Sequence, residues 1–227
     1  MIGCLELIVR KAIAIIRAEG PQLIPKYIAH RISDRYYDWR LGISTCGSVE
    51  SAELGIRNPM CRWYSPTDYR SFRKVMRHFK IRDNRDVFLD YGAGKGRVLI
   101  MAAAYPFRRI IGIEIAPQLV VIAKQNIQRA RRKLSCNDIW VLTADAASYA
   151  VSPEVTFVYG YHSFVGETLS KVLRNIRHSL IEAPRELTII WKNIGPFEEH
   201  VKHCDWLVKY GEFPCYAGHK YGVYKNK

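Results

Sequence analysis

The sequence predicts an α/β fold: a doubly wound, mostly parallel seven-stranded sheet with an antiparallel C-terminal hairpin, plus an N-terminal helical extension. Three observations carry this reading. From residue 86 onward, short apolar runs rich in β-branched and aromatic residues alternate with amphipathic stretches, as in a parallel sheet covered on both faces. The first run leads through "DYGAGKGR", residues 90–97, into a helix, so a glycine loop follows the first strand. The last two runs are joined by a Gly/Pro-containing loop with no helix, which implies antiparallel pairing.

Taken in order, the opening "MIGCLELIVRKAIAIIRAEG" sets Ile2, Leu5, Val9, Ala12, Ile13 and Ile16 on one helical face. Packing of that face on the rest of the protein is expected, in preference to a membrane-surface helix. Glu6, Arg10, Lys11 and Arg17 interrupt the segment, which therefore lacks the ~20 apolar residues of a spanning helix. Residues 36–64, rich in Gly, Ser and Asn, read as an ordered loop region between helices. "SPTDYRSFRKVMRHF" restarts a helix with Ser65 as N-cap and Pro66 at its first position, burying Phe72, Val75, Met76 and Phe79. Strands follow at "DVFLDY", "RRIIGIEI", "DIWVLTAD", "VTFVYGY" and "ELTIIWKN". Helices intervene at "KGRVLIMAAAY", "PQLVVIAKQNIQRARRK", "GETLSKVLRNIRHSL" and "PFEEHVKHC". "DWLVKYGEF" and "HKYGVYK" form the final hairpin. The chain divides into a helical and loop extension over 1–63 and a sheet domain over 64–227.

Composition excludes some classes and favours others. With 48% hydrophobic and 25% charged residues the chain is an ordinary globular one, not a disordered one. The formal charge of +14 favours acidic partners: nucleic acid, an anionic membrane surface or an acidic protein. Six scattered cysteines without a CxxC pair predict reduced thiols and a cytoplasmic location. His200, His203, Cys204, Cys215 and His219 match no zinc spacing, so no structural metal is expected.

The glycine loop narrows the ligand. Gly92, Gly94 and Gly96 let the backbone approach a bound molecule, because glycine tolerates positive φ. Asp90 stands two residues ahead of them. Beside a pyrophosphate this carboxylate would be repelled by about 1 kcal/mol at 4 Å even in water, which disfavours a nicotinamide dinucleotide. The Gly-Lys-Ser/Thr of a phosphate loop is absent. A cationic nucleoside without phosphate reverses the sign, and S-adenosylmethionine meets that description. Glu114 closes the second strand 18 residues after Gly96, placed to accept from both ribose hydroxyls. Asp145 closes the third, placed to accept from the adenine amine while the adjoining backbone N–H, that of Ala146, meets the ring.

With these elements in hand, the chain resembles the class I, Rossmann-like S-adenosylmethionine-dependent methyltransferases. "DYGAGKGR" looks like their first motif, and the "IEI" and "ADA" strand ends look like the second and third. The "GKGR" loop together with the upstream "YSPTDYRSF" is similar to the Dot1-type lysine methyltransferases. That likeness implies Thr67 and Tyr64 at the methionine end of the cofactor. Amino-methylating members of the class often carry Asn-Pro-Pro-Tyr after the fourth strand, where this chain has "YGYHSF", residues 159–164.

Tyr161 and His162 are therefore the candidate catalytic residues, with His162 either a general base near neutral pH or a structural histidine. Tyr159, Tyr161 and Phe164 form either an apolar channel for an amine or a stacking surface for a base. The expected activity is methyl transfer to a protein lysine or other amine. Transfer to RNA or another nucleic acid, and a silent cofactor-binding module, stand as alternatives. The cation-dense segments 70–82 and 129–133 are either solvated helix faces or a docking surface.

Overall fold

The computed structural model describes residue 20 and residues 24–56, 60–61, 64–215 and 219–227. The expected helix over the first 19 residues lies outside these. In chain order the elements are α1 (Ile24–Leu41), α2 (Tyr69–Met76), β1 (Val87–Tyr91), α3 (Arg97–Ala102), β2 (Arg109–Glu114) and α4 (Pro117–Ala130). A 3₁₀ turn (Arg131–Lys133), β3 (Ile139–Thr143), β4 (Phe157–Tyr161), α5 (Gly166–Glu182) and β5 (Thr188–Lys192) follow. α6 (Gly195–Val201), β6 (Leu207–Pro214) and β7 (Lys220–Asn226) complete the chain.

The seven strands lie in the order β3-β2-β1-β4-β5-β7-β6. β1 to β5 run parallel, and β7 enters antiparallel between β5 and β6. This is the doubly wound sheet with a reversed C-terminal hairpin that the sequence predicts. The order reverses at β1, whose two neighbours are β2 and β4. Loops after β1 and β4 therefore diverge and leave a crevice at the carboxyl ends.

Side-chain alternation sorts the core into two layers. Phe88, Tyr159 and Ile190 join Phe72, Leu99 and Val120 on one face. Leu89, Val158 and Ile189 join Leu169, Val172 and Ile176 on the other. β1 is buried along its whole length, which accounts for its uninterrupted apolar run.

Two expectations are corrected. The segment read as loop from residue 36 begins inside α1, which continues to Leu41. Its buried residues are Tyr27, Ser33, Asp34 and Asp38, so the stripe facing the protein is largely polar and leaves no apolar periodicity to find. The cap of α2 is Asp68 rather than Ser65. Its carboxylate accepts from the Ser71 N–H at 2.8 Å, and the helix ends at Met76, with Phe79 beyond it.

What holds α1 in place is Arg97, the last residue of "GKGR" and only 2% exposed. Its guanidinium donates to Asp34 Oδ2 (2.8 Å), Thr45 Oγ1 (2.6 Å) and the Thr67 carbonyl (3.2 Å), and lies 3.5 Å from Asp38 Oδ1. Asp38 also accepts from the Thr45 and Cys46 N–H groups and from the Tyr69 hydroxyl. One cation thus ties α1, the 42–46 turn and the α2 entry to the glycine loop. Asn126 on α4 adds a second clamp, donating to the Lys95 and Ser44 carbonyls and accepting from the Ser44 N–H. Removing one member of a buried ion pair leaves the others uncompensated. Arg97→Met is expected to destabilise the protein by about 3–5 kcal/mol, read as a drop in the urea midpoint. A midpoint within experimental error of wild type would show the pair to be dispensable.

Candidate functional site

A cleft opens at the carboxyl ends of β1, β2, β3 and β4, the position that the topology singles out. Its floor comes from Asp90, Gly92 and Ala93 after β1. Its walls come from Glu114, from Asp145 and Ala146, and from Tyr159, Tyr161, Ser163 and Phe164. Leu54, Ile56, Cys61 and Tyr64 to Thr67 close it from the N-terminal side, so residues before 64 take part in the cleft.

All three loop glycines have left-handed backbone, with φ of 77° at Gly92, 55° at Gly94 and 82° at Gly96. The space around them is fully used. A Cβ on Gly92 would overlap Ser163, and one on Gly94 would overlap the Tyr64 ring. A Cβ on Gly96 would come within 3.1 Å of Ala123 of α4, so the missing side chain lets the loop lie close to that helix. Gly96 also begins α3 without a capping side chain.

Asp90 is 2% exposed and its Oδ2 has no hydrogen-bond partner. Among the described residues only the Tyr91 hydroxyl shares that condition. Burial, helped by the nearby Glu114 charge, pushes the Asp90 carboxyl well above the ordinary carboxylate range. Glu114 is buried too, but both its oxygens are engaged. Oε2 accepts from the Gly94 N–H at 2.8 Å and Oε1 from the Ala116 N–H at 3.0 Å. Burial raises its pKa, and these backbone donors oppose the rise. Each oxygen keeps a lone pair for a hydroxyl. Asp145 stands exposed at the lip and accepts from the Ala147 N–H at 2.9 Å in a local turn.

Thr67 is buried, with its hydroxyl 2.8 Å from that of Tyr159. Tyr64 donates its hydroxyl to the Thr45 carbonyl at 2.7 Å and lays its ring over Gly94. Tyr161 lines the cleft, whereas His162 does not. His162 sits half-buried one residue beyond β4 in left-handed backbone, φ 44°. The structure therefore brings together Tyr64, Thr67, Asp90, Gly92, Glu114, Asp145, Ala146 and Tyr161 around one cavity, with Gly94 and Gly96 behind them.

Sequence reasoning passed over three groups. Arg97 lines the cleft through its stem, and Ser163 crosses from β4 to donate to the Tyr91 carbonyl at 2.9 Å. Lys192, at the end of β5, is 3% exposed and lies 4.2 Å from the Tyr161 ring centroid. It pairs with Asp68 at 3.2 Å, and Asp68 also binds His30 at 3.0 Å. Burial opposes the charge of both. The His30 hydrogen bond, Lys192 and Ser71 nevertheless hold Asp68 well below the usual range, while Tyr161 and Asp68 hold Lys192 above its own. The Asp at the end of "SPTD" thus caps α2 and neutralises the lysine beneath Tyr161. A lysine at a strand end following an apolar run was the only available signal.

Neither protein-family models nor curated proteins match this chain. Solved structures do. An RNA methyltransferase from Salinibacter ruber in complex with S-adenosyl-L-homocysteine aligns at TM-score 0.53 and 22% identity, over 71% of this chain and 94% of that one. A ribosomal protein L11 methylase from Lactobacillus delbrueckii subsp. bulgaricus aligns at 0.54 and 12%, over 68% and 76%. A precorrin-6y C5,15-methyltransferase from Geobacter metallireducens GS-15 aligns at 0.54 and 17%, over 71% and 89%. The chain has the class I methyltransferase fold. The narrower likeness to the Dot1 branch rests on the sequence alone. Among the described residues no helix is long and apolar enough to cross a membrane, and no cluster of His, Cys, Asp or Glu suits a metal.

Asp90 makes a measurable demand on stability. Its carboxyl takes up protons more readily folded than unfolded, where its pKa is near 3.8. Between those two values the folded state binds more protons, so its contribution to stability shrinks as pH rises. In thermal melts without ligand, Asp90→Asn is expected to gain on wild type progressively as pH is raised from 4. A melting-point difference constant with pH would remove Asp90 as the source.

Proposed function

We propose that this protein is an S-adenosylmethionine-dependent methyltransferase acting on an amine acceptor, of a protein lysine or of another amine-bearing molecule. The observation that carries the reading is the buried Asp90 carboxyl beneath the glycine loop, whose Oδ2 has no partner, with Glu114 beside it. Two acids walled from water suit a ligand that brings positive charge and hydroxyl donors, and repel one that brings phosphate. When bound there, the cofactor supplies an electrophilic methyl on a sulfonium centre.

In this reading Asp90 faces the ammonium end, and Glu114 receives the ribose hydroxyls without releasing the Gly94 and Ala116 N–H groups. Asp145 and the Ala146 N–H hold the adenine at the lip. Thr67 and Tyr64 flank the methionine end. Tyr161 and Phe164 would orient the acceptor nitrogen, a contribution that is mainly one of positioning. A lysine acceptor has a free pKa of ~10.4 and must shed its proton first. Charge repulsion from the cationic sulfonium would favour this loss, while Lys192 behind Tyr161, neutralised by Asp68, holds the Tyr161 ring in place. In this reading His162, one residue outside the cleft, would relay the proton onward rather than take it from the acceptor directly.

The test is titration calorimetry with S-adenosylmethionine, followed by incubation of wild type with the methyl-labelled cofactor and fractionated cell extract. Binding with label transferred to an amine-bearing product is the expected result. Binding without transfer to any fraction would mark a silent module, and label in an oxygen or carbon acceptor would overturn the amine assignment. Asp90→Asn and Glu114→Gln are each expected to weaken cofactor binding at least tenfold, since each removes a charge-assisted contact of roughly 1.5–3 kcal/mol. His162→Asn keeps a residue that accepts left-handed backbone and removes the imidazole. A loss of roughly 10²-fold or more in kcat supports the proton role, and an unchanged kcat with an unchanged pH profile refutes it.

A further inference from the structure

A second groove lies outside the cleft, between α1, α2, the end of α3 and the 3₁₀ turn. Its charged lining is entirely cationic: Arg40, Arg73, Arg77 and Lys133, with no carboxylate among them. These come from three separate stretches of sequence, so a solvated face of a single helix does not account for their convergence. Like charges gathered in one concavity repel one another and raise the local concentration of anions.

Aromatic rings are set among the cations. The Arg73 guanidinium lies 4.1 Å from the Tyr37 ring centroid and donates to its hydroxyl, and Tyr105 forms part of the lining. Tyr37 in turn stacks on buried Tyr69, with centroids 4.9 Å apart and planes at 29°, which fixes the groove's inner wall. Beside the groove on α1, Trp39 is 78% exposed and Tyr36 49%, their centroids 6.1 Å apart. Among the described residues, Tyr36 meets Tyr37 edge-on at 5.4 Å and both outer rings otherwise stand largely in water next to the cationic groove. Guanidinium forks match phosphate oxygens, and exposed aromatic faces accept unstacked bases. An acidic peptide would use the cations and leave the rings idle.

We propose that this groove binds single-stranded nucleic acid, with phosphates along Arg40, Arg73, Arg77 and Lys133 and bases against Tyr36 and Trp39. The inference stands apart from the methyl-transfer reading, because it concerns binding at a different surface. It is tested by fluorescence anisotropy with labelled U15 and dT15 on the full chain.

Four neutralised phosphates on a single strand predict a log–log salt slope near −2.8, or roughly fifty-fold weaker binding at 200 mM than at 50 mM salt. Arg73→Ala/Arg77→Ala, both exposed positions, is expected to halve that slope. Trp39→Ala is expected to weaken binding about fivefold or more with the slope unchanged. Arg174→Ala, on α5 across the sheet, should leave both as they are, and circular dichroism checks that each variant is folded. Three results would overturn the proposal: no binding at 50 mM salt, binding indifferent to Trp39→Ala, or a poly-glutamate peptide competing as well as the oligonucleotides. The last two would instead mark a site for an acidic protein.

Discussion

The structure depends on a single buried cation. Arg97 begins the helix that follows the glycine loop, and its guanidinium reaches back to two aspartates of α1, a threonine hydroxyl and the carbonyl of Thr67. A charge taken out of water is costly unless every donor finds an acceptor. Here that requirement fixes where α1, the 42–46 turn and the α2 entry sit. Because these segments also wall the cleft, a constraint that looks like packing becomes a constraint on the site. The Asp68–Lys192 pair repeats the principle at the opposite wall, joining the α2 entry to the end of β5.

The cleft shows a second, opposed economy. Arg97 and Lys192 have their counter-charges, while Asp90 has an oxygen with no partner. Among the described residues, a fold that satisfies nearly all its buried polar side chains and leaves one oxygen of Asp90 orphaned at a topological switch point, with the Tyr91 hydroxyl beside it in sequence, is strained in a particular sense. An unmet buried acceptor costs stability, and a ligand that brought a donor there would recover it. Glu114 illustrates the alternative, since the same residue type one strand away is held by two backbone N–H groups.

Much of the sheet is legible in the sequence because burial on both faces writes itself as apolar runs. β1, β2, β4 and β5 follow that rule, and Asp90, Glu114 and Asp145 stand out where those runs or their neighbour β3 end. Legibility fails where the contacts are polar and distant. The face that α1 turns inward carries Ser33, Asp34 and Asp38, and the Arg97 that meets both aspartates lies some 60 residues away, so no local period betrays it. Ser65 and Asp68 are equally good caps by type, and only the fold brings Lys192, 124 residues on, to the second of them. His162 and Tyr161 read as one motif, yet the left-handed turn at His162 sets it outside the cavity that Tyr161 lines.

Tyr64 has a consequence of its own. Its ring rests against Gly94 and its hydroxyl is tethered to the carbonyl of Thr45, in the turn that Arg97 and Asn126 secure. The residue that covers the glycine bend is therefore hinged on the N-terminal segment rather than on the sheet. Loosening α1 would therefore reach the glycine bend through Tyr64, some distance from any atom a guest there would touch.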